Sequence, residues 1–377
     1  MAQTRPQPTD QNISEALTER VRRATAESRP LRIVGGDTKA FYGRKVQGRE
    51  IQGRPEEIET LSTREHRGIT YYDPVELIVS VRSGTPLAEL EATLADNGQM
   101  LGCEPPHFGT DATVGGMVAT GLSGPRRPWA GSVRDFVLGT RVISHEGHQQ
   151  RFGGEVMKNV AGYDLSRLMV GAQGTLGPIT EVSLKVLPRP GASHSLRLEM
   201  PLADAQAKLA EWGRQPLPIT AAAWHAGALH LRLEGGPSSV AATRERLGGD
   251  ELDADFWTAL REQTLDFFSR DDARALWRLS LPHNTPSLAL AGVQKADLLH
   301  DWAGTQRWLR SDLPADIIRE ACARGGGHAT CLGSREGPGQ PDPFMPLEPV
   351  VAKYHRNLKA QLDPKGIFNP GRLYAEL

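Results

Sequence analysis

Cysteine is scarce in this 377-residue chain. The three present, Cys103, Cys322 and Cys331, are too few for a disulfide framework and match no Cys-x-x-Cys unit. An iron–sulfur cluster or structural zinc carried by cysteines of this chain alone is thereby excluded, and the compartment reads as reducing. Long apolar runs are missing too. No stretch of about 18 apolar residues occurs, and the N-terminal MAQTRPQPTDQNISEAL has charges and glutamines where a secretory signal needs an apolar core. The expectation is a soluble cytoplasmic protein. Charge is balanced, with 44 Lys plus Arg against 45 Asp plus Glu, so the basic excess of a nucleic-acid or polybasic membrane binder is absent. No G-x-G-x-x-G follows a strand, and G-x-x-x-x-G-K-[ST], H-E-x-x-H and G-x-S-x-G are absent. These gaps disfavour a nicotinamide Rossmann domain, a P-loop hydrolase and an α/β-hydrolase.

Glycine is plentiful, at 40 residues where ordinary usage of ~7% would give roughly 26. The spacing predicts a helix over 12–28, a buried strand Leu31–Val34 entering the turn Gly35-Gly36-Asp37, and a strand near Ile58–Ser62. Leu77–Val81 reads as a strand, followed by a helix capped by Thr85 with Pro86 in its first turn. Val133–Ile143 reads as one long strand with Gln149–Phe152 returning antiparallel, and Ile179–Val186 as another. Beyond Pro190 strands and helices mix: a hairpin Ile219–Trp224/Ala228–Leu233, helices near 203–212, 240–247 and 253–268, and a strand near 273–281. That order suggests an α+β domain with an antiparallel sheet. Six of the seven tryptophans (212, 224, 257, 277, 302 and 308) lie in 191–330, either filling a core or forming a partner surface.

Three glycine clusters stand out: Gly35-Gly36-Asp37-Thr38, Gly115-Gly116 with Gly121, and Gly171 with Gly174 and Gly177. Glycine lets backbone N–H groups converge on an anion, so the clusters fit either tight turns in a crowded sheet or a long diphosphate-bearing cofactor. The runs DPVELIVSVRSGTPLAELEATLADNGQMLGCEPP (73–106), ATVGGMVATGLSGPRRPWAGSVRDFVLGTRVI (112–143) and VMKNVAGYDLSRLMVGAQGTLGPITEVSLKVLPRP (156–190) resemble the FAD-binding domain of the vanillyl-alcohol oxidase and p-cresol methylhydroxylase (PCMH) superfamily. LDPKGIFNPGRL (362–373) resembles that superfamily's closing segment. Within it, EPPHFG, GLSGPRR and FGGEVMKNVAGYDLSRLM resemble the FAD-binding E subunits of bacterial glycolate oxidases.

The resemblance implies an α+β chain with a two-part PCMH-type FAD domain (1–190), a mixed α/β cap with an antiparallel sheet (191–330), and a C-terminal segment returning to the FAD domain (331–377). It assigns Val34, Gly35, Gly36, Asp37, Thr38 and Lys39 to the first diphosphate loop. Pro106, Gly109, Thr110, Ala112, Thr113, Val114, Gly115 and Gly116 fall to the second. Gly121 and Ser123 would run beside the isoalloxazine, and Gly174, Thr175, Gly177 and Ile179 would line the far side of the dinucleotide. Neither Cys103 nor His107 matches a flavin attachment site, so the implied FAD is non-covalent. No metal site is expected, since His328 stands without acidic neighbours in sequence.

A small 2-hydroxyacid such as glycolate needs a cation for its carboxylate, for which Arg126, Arg127 and Lys158 are candidates, and a base for its hydroxyl, for which His107 and Tyr163 are candidates. The function implied is the FAD-binding subunit of a glycolate oxidase or dehydrogenase complex. A larger FAD-containing subunit and an iron–sulfur subunit would be its partners, with any contact to the inner membrane made through them. Two other readings are a self-sufficient FAD-dependent dehydrogenase of another hydroxyacid or alcohol, and an assembly subunit with a structural flavin. The tryptophan-rich middle and the apolar pair Ile367-Phe368 are the candidate partner surface.

Overall fold

The computed structural model describes residues 10–48, 50–51, 54–55, 57–154, 163–269, 274–283, 285–332 and 341–377. Met1–Leu122, Ser132–Pro188 and Pro346–Leu377 make one compact unit, and Ser123–Gly131 with Arg189–Met345 make a second. This grouping departs from the sequence division at two places, each with a physical cause. Ser123–Gly131 is tied into the second unit: the Trp302 indole Nε1 donates to Gly124 O at 3.0 Å, and the Arg127 guanidinium lies 4.5 Å over the Trp302 ring. The chain returns to the first unit only from Pro346, because His328–Leu332 is still a strand of the second unit's sheet.

In the first unit, α1 (Ser14–Glu27) carries Leu17, Val21 and Ala24 at helical spacing. They pack with Leu31, Leu61, Ile143, Ile367 and Phe368 into one buried cluster. Strand β1 (Leu31–Val34) pairs in parallel with β2 (Glu59–Ser62), and Phe368 bridges to Leu31 from the other side. The second part of the unit is an antiparallel five-stranded sheet of β3 (Ile69–Asp73), β4 (Ile78–Arg82), β5 (Val137–Ile143), β6 (Gln149–Gly153) and β7 (Ile179–Lys185), in the order β3-β4-β7-β5-β6. Two local expectations change. Val133–Phe136 is a helical turn rather than the start of β5, because Ser132 and Asp135 form a reciprocal capping box. Thr85 does not cap α2 (Leu87–Asp96): its hydroxyl accepts from Gly68 N at 2.8 Å, and Pro86 takes the cap position.

The second unit is built on an antiparallel eight-stranded sheet. Its strands are β8 (Ala192–Glu199), β9 (Ile219–His225), β10 (Ala228–Gly235), β11 (Asp250–Glu251), β12 (Ala275–Ser280), β13 (Leu298–Asp301), β14 (Gln306–Ser311) and β15 (His328–Leu332). The order is β11-β8-β10-β9-β13-β14-β12-β15. The helix expected over 253–268 splits into Asp255–Arg261 and a 3₁₀ turn Asp266–Phe268, with left-handed Gln263 (φ 55°) between them. All six middle tryptophans are buried, and Ile367 and Phe368 are fully buried in the first unit, so these aromatics and apolar residues fill cores and do not form the expected partner surface. Among the described residues no helix is long and apolar enough to cross a membrane.

Burial also lowers the pKa of two imidazoles in this unit, His230 to about 4 and His300 to about 3. His230 stacks on Phe256 and His300 stands edge-on to Trp224. Both are neutral in the fold, whereas in the unfolded chain they take up protons below their ordinary value of 6.5. Stability is therefore full above that value and falls as pH drops toward the folded values. We expect a loss of about 1–2 kcal/mol per histidine between pH 7 and about pH 5. Urea denaturation at the two pH values measures it, and equal stability at both would mean that the fold accepts the charged rings.

Candidate functional site

Strand β1 ends where Gly35-Gly36-Asp37 turns into the wall of an open cleft in the first unit. The cleft encloses about 840 Å³, solvent-open space included, and is lined by the 32–40 segment, α3 (Val114–Thr120), Gln173-Gly174, Ile179, Asn369 and Arg372.

Close backbone approach explains the glycines. A Cβ on Gly36 would sit 1.5 Å from Asp111 O, and one on Gly115 2.6 Å from Ser83 Cβ. These two positions hold segments together at a distance only glycine permits. Gly116 differs: a Cβ there meets only Thr113 Oγ1, at 3.2 Å, on the lining of the cleft. Thr113 caps α3, accepting from Gly116 N at 3.2 Å.

The turn after β1 supplies the polar part of the cleft. The N–H groups of Gly36, Asp37 and Thr38 donate to no acceptor among the described residues. Consecutive amides left in this way in a turn form an anion-binding concavity. Its far edge is tied down: the Thr38 hydroxyl and Lys39 Nζ both donate to His107 O, at 2.8 and 3.1 Å.

The C-terminal segment completes the wall. Asn369 Oδ1 accepts from Ile33 N at 2.7 Å while its Nδ2 donates to Gln173 O at 2.6 Å. Arg372 donates to Gln173 Oε1, Arg44 O, Lys39 O and Tyr42 O, so one guanidinium holds the 39–44 loop against the tail. Beneath them the buried Lys359 ammonium donates to Asp363 Oδ2, Thr175 O and Phe368 O at 2.7–2.8 Å. Desolvation pulls the Lys359 pKa down, and the Asp363 carboxylate opposes that shift.

Of the residues singled out in the sequence, Val34 to Lys39, Thr113, Gly115, Gly116, Gly174 and Ile179 line this cleft. Pro106, Ala112, Val114 and Thr175 are buried behind it, while Gly109 and Thr110 are exposed outside the lining. Gly121 is the left-handed end of α3, Gly177 approaches Ile143 O, and Ser123 belongs to the second unit. Sequence reading missed Arg32, Thr63, Gln173, Asn369 and Arg372. Only Asn369 and Arg372 carried a signal, inside the FNPGRL run.

The candidates for substrate chemistry are placed elsewhere. Arg126 is buried in an ion pair with Glu234, which Arg232 also meets at 3.1 Å. A guanidinium so engaged is not offered to a substrate carboxylate. Arg127 lies over the Trp302 ring, His107 Nε2 is 3.0 Å from Glu91, and Tyr163 is 96% exposed. Lys158 lies outside the described residues. Among those described, no group of three His, Cys, Asp or Glu could hold a metal ion.

Glycine cradle and free amides fit a diphosphate-bearing flavin. Residues 12–153 match the family described as an FAD binding domain. The fold is shared with an alkyldihydroxyacetonephosphate synthase structure, at TM-score 0.66 and 18% identity over 95% of this chain and 76% of that one. Fold and cleft thus define an FAD-binding protein of the PCMH type. The chain is 54% identical to glycolate oxidase subunit GlcE of Escherichia coli (strain K12) across 97% of its own length and 99% of that protein. It belongs to the GlcE family of glycolate oxidase subunits. A D-lactate dehydrogenase of Anaerostipes hadrus is 40% identical over 33% of this chain and 26% of its own.

Proposed function

We propose that this chain is the FAD-binding subunit of a glycolate oxidase complex, that it holds FAD without a covalent bond, and that it works beside a larger FAD-containing subunit and an iron–sulfur subunit. The observation that carries the reading is the cleft, on whose glycine-rich lining the Gly36–Thr38 amides donate to no acceptor among the described residues. Gly36, Asp37 and Thr38 would meet the diphosphate, while Thr113 and Gly116 on one side and Gly174 and Ile179 on the other would flank the rest of the dinucleotide. When bound, FAD supplies two-electron acceptance of hydride from a substrate C–H bond. The protein's own contribution is to fix the dinucleotide: Arg372 and Asn369 keep the tail closed, and the tie from Thr38 and Lys39 to His107 O keeps the two loops together.

Non-covalent attachment is supported by the lining, which contains no histidine or cysteine among the described residues. Reliance on partners is supported by the positions of Arg126, Arg127, His107 and Tyr163. None of these lines the cleft, so glycolate dehydrogenation to glyoxylate draws on a partner's residues. Contact with a membrane, in this reading, is made by those partners. Acid precipitation of the purified chain tests the attachment: FAD should appear in the supernatant in stoichiometric amount. Flavin retained on the denatured chain, or FMN in its place, would contradict it.

A further inference from the structure

The turn that offers its amides to an anion also carries an anion of its own. Asp37 lines the cleft with a left-handed backbone (φ 57°), in the same turn as the N–H groups that would receive a diphosphate, and it carries a carboxylate. A bare carboxylate there would repel a dianionic ligand. Arg32, two residues before the end of β1 and also on the lining, pairs with it; both side chains are about two-fifths exposed, at 38% and 44%. The other cations of the wall are committed elsewhere: Arg372 to four protein acceptors, and Lys39 to His107 O and Thr38. The pKa of Arg372, which also lines the cleft, is lowered chiefly by burial, with Asp37 raising it and Arg32 lowering it.

We infer that Asp37 is an affinity-limiting counter-charge for the diphosphate of the cofactor and that Arg32 is the residue that neutralises it. This rests on reading the cleft as the FAD site. The pair selects by ligand charge: it acts on the diphosphate of a dinucleotide and leaves a bare flavin ring unaffected. The carboxylate holds FAD binding below what the amides with an unpaired Arg32 would give, so the cofactor stays exchangeable. The left-handed backbone does not require the carboxylate, because asparagine adopts that conformation as readily.

The test is a titration of the full-length apoprotein with FAD and, separately, with riboflavin, which has the ring but no phosphate. Asp37→Asn should tighten FAD by roughly three- to tenfold, and Arg32→Ala, leaving the carboxylate unpaired, should weaken it about tenfold. The double variant should return close to the wild-type value, and riboflavin affinity should be the same in all four proteins. Raising the salt concentration should shrink the differences. Melting temperatures taken without flavin check folding, and an exposed pair of this kind should move them little. Weaker FAD binding in Asp37→Asn, or equal shifts for riboflavin and FAD, would overturn the inference while leaving the cofactor reading intact. Wild-type protein that binds neither flavin would overturn both.

Discussion

Gly116→Val should strip FAD from the protein without unfolding it. A Cβ at this position meets Thr113 Oγ1 at 3.2 Å and nothing else, so the branched side chain enters the cleft rather than the core. Gly36 and Gly115 cannot serve the same purpose, since a Cβ at either collides with Asp111 O or Ser83 and the loop itself would have to move. Valine is no poorer a helix former than the glycine it replaces, so propensity does not oppose folding and the effect falls on the cofactor's space. We expect FAD affinity to drop about 100-fold or more, equivalent to roughly 2.8 kcal/mol. The chain should still melt cooperatively and keep its far-ultraviolet circular dichroism. Equilibrium dialysis against FAD measures the change, and unchanged flavin content would remove α3 from the binding surface. A variant that loses both flavin and fold would show that Gly116 serves packing instead.

Much of the first unit was readable because its signals are local. The apolar face of α1, the strand Leu31–Val34 and its glycine turn are written in adjacent residues, and the helical spacing after Pro86 was correct even though Thr85 turned out to bond Gly68. The five-stranded sheet was partly visible, but Ile69–Asp73 was missed because it alternates weakly and lies next to a turn. Arg32, Thr63 and Gln173 gave no signal: their place on the cleft depends on pairings between segments far apart in sequence. The tail shows the same limit from the other side. Its FNPGRL run was noticed, yet only the structure shows that Phe368 fills a core, Asn369 bridges Ile33 and Gln173, and Arg372 clamps a loop more than 300 residues earlier. Arg126 looked like a substrate cation because it sits in a glycine-rich loop beside a second arginine. Glu234, more than 100 residues away, is what commits it.

The assignment as one subunit of a glycolate-oxidising complex makes a demand on rates. The described candidates for carboxylate binding and proton abstraction are engaged elsewhere or stand in solvent: Arg126 by Glu234, Arg127 by Trp302, His107 by Glu91, and Tyr163 exposed. An enzyme lacking a positioned base loses on the order of 10²- to 10⁴-fold in rate. The isolated chain should therefore bind FAD yet be reduced by glycolate about 100-fold or more slowly than the assembled complex. The decisive measurement is anaerobic stopped-flow bleaching of the flavin by glycolate, made on the isolated chain and on the same chain co-expressed with the proposed larger flavoprotein and iron–sulfur partners. Slow or absent bleaching alone, with fast turnover in the complex, is the predicted result. Bleaching of the isolated chain as fast as that of the complex would contradict the account and make this chain a dehydrogenase in its own right.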